Sequence, residues 1–133
     1  MKNFQKWNAL KIQTDKKQKV LYFHSRQIWF ASLGENIGFE QSGKGDMFLR
    51  PIVILKKFNK QVLWALPLST NIKHGKYYYP IQDSGGKMAV AILSQIKLID
   101  AKRLCYRIGY IKTDEFFGIK KAIVNLLMID DGQ

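Results

Sequence analysis

Short, largely apolar runs rich in β-branched and aromatic residues fill most of this chain. QIWFASL, RPIVILKKF, QVLWALPL, KYYYPI, MAVAILS and LCYRIGYI are separated by clusters of Gly, Asn, Asp and Lys. Short runs of this kind bounded by turn residues predict strands, and six of them at this spacing predict a mainly β fold, a small SH3-like antiparallel β-barrel. Two links read as hairpins. Asn59 and Lys60 form a tight turn between apolar runs, and Asp83-Ser84-Gly85-Gly86 supplies the positive φ angles such turns need. After Thr113 the pattern changes. Thr113 reads as an N-cap, Asp114 and Glu115 suit the positive end of a helix dipole, and Phe116, Phe117, Ile119, Ala122, Ile123, Leu126 and Leu127 form a wide apolar stripe. This predicts a C-terminal helix closing the barrel. At the other end, Phe4, Trp7 and Leu10 recur at helical spacing among lysines, predicting an added basic N-terminal helix and a charged linker over residues 1–25, with the barrel domain at 26–133. The N-terminal helix either packs Trp7 on the barrel with its lysines in water, or contributes those lysines directly to binding a polyanion.

Charge sharpens the picture. Twenty-two Lys and Arg stand against 10 Asp and Glu, a formal +12, and residues 1–26 hold seven of the basic groups and one acid, Asp15. Such a balance attracts polyanions: nucleic acid, an acidic protein or an anionic membrane. No apolar run approaches the roughly 20 residues of a spanning helix, and the N-terminal stretch lacks the apolar centre of a signal peptide. A cytoplasmic protein without a membrane role is therefore expected. Cys105 has no partner for an internal disulfide and reads as a small core or half-buried residue. One cysteine and two histidines, His24 and His74, are too few soft ligands for a zinc site. Neither a metal nor any other cofactor is expected.

Arg50-Pro51 is the candidate chemistry. A proline pushes the preceding residue toward extended backbone and fits a strand chiefly at its first residue or on an edge, so the guanidinium leaves a stiff strand entrance. A guanidinium is no base at neutral pH, but it grips a phosphate by paired hydrogen bonds and stabilises charge developing on phosphoryl oxygens. Ser69 and Thr70 end the strand paired with the one starting at Arg50, and an antiparallel hairpin sets its outer ends side by side. Either hydroxyl bonds a phosphate or caps the turn at Asn71. The loop 34–48, with four glycines, overhangs the same edge as a flap or as a long connection. Bases would stack on Phe39 or Phe48, unless these rings belong to the core, and Lys44, Lys56, Lys73 and Lys76 would contact phosphates.

Four blocks carry a family resemblance: QIWFASLGENIGFEQ, Arg50-Pro51 opening an apolar strand, ALPLST, and LSQIKLIDAKRL. In this order, from about Arg26 to Leu127, they resemble the PemK/MazF toxin endoribonucleases of toxin–antitoxin systems. The resemblance implies a homodimer that cleaves single-stranded RNA at short motifs without metal, and an acidic antitoxin partner whose tail blocks the RNA site. It casts Arg50 as a catalytic residue and places Ser69 where the family has a catalytic Thr, with Thr70 next to it. It matches Glu40 and Gln41 to an RNA-binding pair, although Glu40 could equally pair with Arg50 or a lysine. Ile92 and Ser94 stand where some members carry an Arg and an Asp. The alternative on the same barrel is a non-catalytic binder, either a CcdB-like gyrase poison or a degenerate RNA-binding module.

Overall fold

A computed structural model describes residues 1–18 and 21–130. Its elements are α1 (Phe4–Asp15), β1 (Gln27–Ser32), β2 (Leu49–Lys57), β3 (Val62–Ser69), β4 (Tyr78–Gln82), β5 (Met88–Ile92), β6 (Lys97–Asp100), β7 (Leu104–Tyr110) and α2 (Thr113–Met128). The strands form one antiparallel sheet in the order β4-β5-β3-β2-β1-β7, with β6 also on β3. It curls into a barrel-like shape but does not close: among the described residues β4 and β7 each pair on one side only. The expected linker before β1 includes residues 19 and 20, which lie outside the described residues.

The continuous apolar run of β2 follows from its central place, which buries both of its faces. Ile52 and Ile54 point into a cluster with Phe23, Trp29, Leu63, Ile99 and Leu104, whereas Val53 and Leu55 point the other way, toward Ile28, Leu66, Ile81, Ile111 and α2. Both predicted turns are present. Asn59 accepts from the amides of Gln61 and Val62, and Asp83 accepts from Gly85 and Lys87, with Gly86 at φ +89°.

Five expectations change. β6 is a seventh strand; its four residues pair with β3 from Val62 to Ala65. Pro51 is the third residue of a central strand, not its first or an edge, and is tolerated where β2 has only β1 beside it, because pairing with β3 begins at Ile52. Thr113 is the first residue of α2 and not its cap; Lys112 takes that place with no side-chain bond. The apolar stripe of α2 is narrower than expected. Phe116 and Ile119 are buried and Ala122, Ile123 and Leu126 partly so, while Phe117 and Leu127 face outward, since a helix lying on one sheet face covers one side only. Likewise α1 is no amphipathic stripe. Trp7 and Thr14, two turns apart, are buried, and Phe4 is exposed.

Candidate active site

The site grows from the point where β2 and β3 part. Their last paired residues are Ile52 and Pro67, after which β3 turns to β5, pairing Leu68 with Ala91 and Ser69 with Val90. Neither Pro51 nor Pro67 has an N–H to extend the ladder, so the strands separate here. The Arg50 side chain occupies the opening. Its Nη1 donates to the Leu68 carbonyl at 3.1 Å and its Nε to the Ser42 carbonyl at 2.7 Å. Two backbone oxygens thus hold the guanidinium by one side, and the remainder of its five-donor fork faces the cleft. Burial lowers its pKa from the ordinary value, yet an arginine stays cationic at neutral pH.

Ser69 lies two residues past the last β2–β3 pair, as Arg50 lies two residues before it, so both stand at the parting of the strands. Both line a cleft of about 630 Å³ with Thr70, Gln41, Lys44 and Lys73 on its polar rim and Ile28, Leu68 and Ile81 on its apolar side. A volume of this order is typical of ligand sites. Ser69 Oγ accepts from the Asn71 amide at 3.2 Å, which realises the turn-capping reading and leaves its own proton to donate. Thr70 is exposed on the rim.

The loop between β1 and β2 is folded on itself. Asn36 bonds the carbonyls of Leu33 and Gln41, its amide bonds Ser42 Oγ, and Gly43 N donates to the Gly34 carbonyl at 2.8 Å. Glu40 accepts from the Ile37 amide and, among the described residues, meets neither Arg50 nor a lysine in a salt bridge. Gln95, in the turn after β5, holds the loop from inside: its Oε1 accepts from Gln41 N at 2.8 Å and its Nε2 donates to the Phe39 carbonyl at 3.2 Å.

Of the eleven residues selected from sequence, Arg50, Ser69, Thr70, Gln41, Lys44 and Lys73 therefore meet at one cleft. Glu40 and Phe39 border a neighbouring hollow of about 380 Å³, where the Phe39 ring is almost fully exposed at 98%. Three are elsewhere. Phe48 has its ring buried against Trp7, 5.5 Å between centroids, so it offers no face to a base. Lys56 is six residues along β2 from Arg50, about 20 Å away at the rise of a strand, with its ammonium over the Phe58 ring. Lys76 lies over Tyr77 and does not line the cleft. Gln95 and Trp7 are what the residue pattern could not supply as partners of the loop, because each meets it across more than 25 residues of chain. Cys105 is half-buried, and burial raises its thiol pKa. Among the described residues no group of three His, Cys, Asp or Glu could hold a metal, and no helix is long and apolar enough to cross a membrane.

An antiparallel barrel-like sheet with an arginine at the parting of two strands defines a class, and comparison with known proteins agrees on which. The profile of the PemK-like, MazF-like toxins of type II toxin–antitoxin systems matches residues 24–127. The chain belongs to that family. Among solved structures, the Mycobacterium tuberculosis toxin MazF-mt6 superposes with a TM-score of 0.60 at 19% identity, covering 79% of this chain and 99% of that one. MazF from Deinococcus radiodurans gives 0.65 at 13%, covering 82% and 99%. An endoribonuclease in complex with its cognate antitoxin from a mycobacterial species gives 0.62 at 13%, covering 82% and 98%. At these identities the likeness is one of fold. No match was found among curated protein sequences.

Proposed function

We propose that this toxin-family chain is an endoribonuclease that cuts single-stranded RNA at short motifs without a metal ion. The observation that carries this reading is the half-buried Arg50 guanidinium, held by two backbone carbonyls and facing a cleft it shares with the Ser69 hydroxyl. RNA supplies its own nucleophile. The ribose 2′-oxygen attacks the adjacent phosphorus, the P–O5′ bond breaks, and the products are a 2′,3′-cyclic phosphate and a 5′-hydroxyl. The 2′-oxygen releases its proton and the 5′-oxygen gains one through solvent in the open cleft. Arg50 neutralises charge on the non-bridging oxygens and Ser69 donates to one of them, with Thr70 beside it. Positioning and electrostatic stabilisation of this kind are the largest contributions a site without a metal can make.

Lys44 and Lys73 at the rim carry the flanking phosphates, and Gln41 and the exposed Phe39 engage bases. Glu40 shapes the loop between them. A formal charge of +12 also suits an acidic antitoxin that competes with RNA for this face, and a homodimer would lengthen the groove that one small barrel offers. The cytoplasm, where mRNA is found, is the expected compartment.

Purified protein is expected to cut single-stranded RNA in excess EDTA, to leave the same sequence in a duplex intact, and to weaken steeply as salt rises, as phosphate contacts do. New ends resolved on a sequencing gel check this. RNA that binds and is not cut would favour the non-catalytic binder instead.

A further inference from the structure

The family match begins at residue 24, so α1 lies outside it, and what α1 touches is informative. We propose that α1 is a clamp for the loop of residues 33–48, and that Trp7 is a positioning residue for the RNA site. This rests on the functional reading above.

Trp7 is 7% exposed on a helix whose other side chains are mostly in water. Its indole is enclosed by the Phe48 ring, by the Arg103 guanidinium 5.5 Å from its centroid, and by the bare backbone of Gly34. Gly34 has φ +84°, and any Cβ there would collide with the indole, so the loop leaves room for this one side chain. Around it, Lys2 Nζ donates to the carbonyls of Asn36 (2.5 Å) and Gly38 (3.3 Å), Asn3 N donates to the Glu35 carboxylate (3.1 Å), and Lys6 pairs with Asp46. These contacts reach both arms of the loop, 34–38 and 46–48. The polar ones are exposed and individually weak. Trp7 decides the docking.

The link to the site is short. Phe48 holds φ +51°, a conformation costly for a bulky residue unless its surroundings fix it; its backbone is held by bonds to Gly45, Leu33 and Gly34, and its ring is packed on Trp7. Two residues later comes Arg50. The Phe48 carbonyl accepts from Leu33 N and Gly34 N, which joins the two arms, and the stretch between them presents Gln41 and Lys44 to the cleft. Gln95 and Arg50 hold that stretch from inside, and α1 holds it from outside. Without α1 the loop must order itself at each encounter with RNA, a cost that appears in binding.

The test compares the full chain with Trp7→Ala and Trp7→Phe by amide hydrogen exchange and by steady-state cleavage of a single-stranded RNA. In Trp7→Ala, amides of residues 34–48 are expected to exchange at least tenfold faster while those of β2 and β3 keep their protection. KM should rise about tenfold, with kcat changed less than threefold, since β2 and Leu68 still hold Arg50. Trp7→Phe should recover most of both effects. Should Trp7→Ala fail to fold, Trp7→Leu, which keeps an apolar side chain in the pocket and loses the ring contacts with Phe48 and Arg103, must still speed loop exchange. Unchanged loop exchange in a folded Trp7→Ala protein overturns the clamp. Faster exchange with unchanged KM overturns the positioning role. A wild-type protein that cuts no RNA defeats the functional reading alone, and the clamp is then decided by exchange.

Discussion

Arg50→Ala should cut RNA at least 10²-fold to 10³-fold more slowly than the wild type, about what removal of one preorganised charge stabiliser costs. The guanidinium is fixed before substrate arrives, by the Ser42 and Leu68 carbonyls, so none of its orientation has to be established during the reaction. The fold should survive. Of the two carbonyls it leaves, that of Leu68 belongs to a residue lining the cleft, and each lost bond to the charged group costs about 1.5–3 kcal/mol, while β2 remains anchored by Ile52, Val53 and Ile54, all fully buried. Cleavage of a fluorogenic RNA together with thermal unfolding separates loss of activity from loss of structure. Arg50→Lys should recover only part of the rate, since an ammonium cannot satisfy two carbonyls and a phosphate in one plane. Ser69→Ala should cost less than Arg50→Ala, because Thr70 offers a second hydroxyl on the same rim.

Gly43→Ala is expected to be the most damaging change in the loop. Gly43 is buried, its amide donates to the Gly34 carbonyl, and a Cβ there would run into the backbone carbonyl and carbon of Phe48, which no rotamer can relieve. The two arms must therefore move apart. Ser42, the residue before it, carries the carbonyl that holds Arg50 Nε, so the displacement reaches the guanidinium directly. A shift on the order of 1 Å in a positioned catalytic group costs about 10²-fold in rate, and overpacking of this kind destabilises by about 1–3 kcal/mol. The expected result is a folded protein with a lower Tm, kcat/KM reduced about 10²-fold, and faster exchange in residues 34–48. Wild-type cleavage by Gly43→Ala would mean that the loop does not support the site.

These expectations draw on features of uneven visibility in the sequence. The pairing of β2 with β3 is readable from the turn at Asn59 and Lys60, and with it the placing of Arg50 and Ser69 at one end of the hairpin, whereas the one-residue register shift between Ile54 and Lys56 is not. The strand β6 was not readable: Lys97–Asp100 has four residues, two of them charged, and is a strand because β3 offers it an edge. Phe48 looked like a loop aromatic. Its burial depends on Trp7, 41 residues earlier, and on a positive φ that a phenylalanine rarely adopts, neither of which a local pattern encodes. Charge alone points Lys56 to the site, but six residues of extended strand put it at the far end of β2. The gathering of Gln41 and Lys44 with Arg50 depends on the loop folding back over the sheet, which long-range bonds to Gln95 and α1 support.

Mass analysis of the RNA ends made by purified protein in EDTA tests the central claim most directly. The account predicts a 2′,3′-cyclic phosphate on one fragment and a 5′-hydroxyl on the other, both missing when folded Arg50→Ala protein is used. Ends carrying a 5′-phosphate, or the same cyclic phosphate made equally fast by the Arg50→Ala protein, would contradict it.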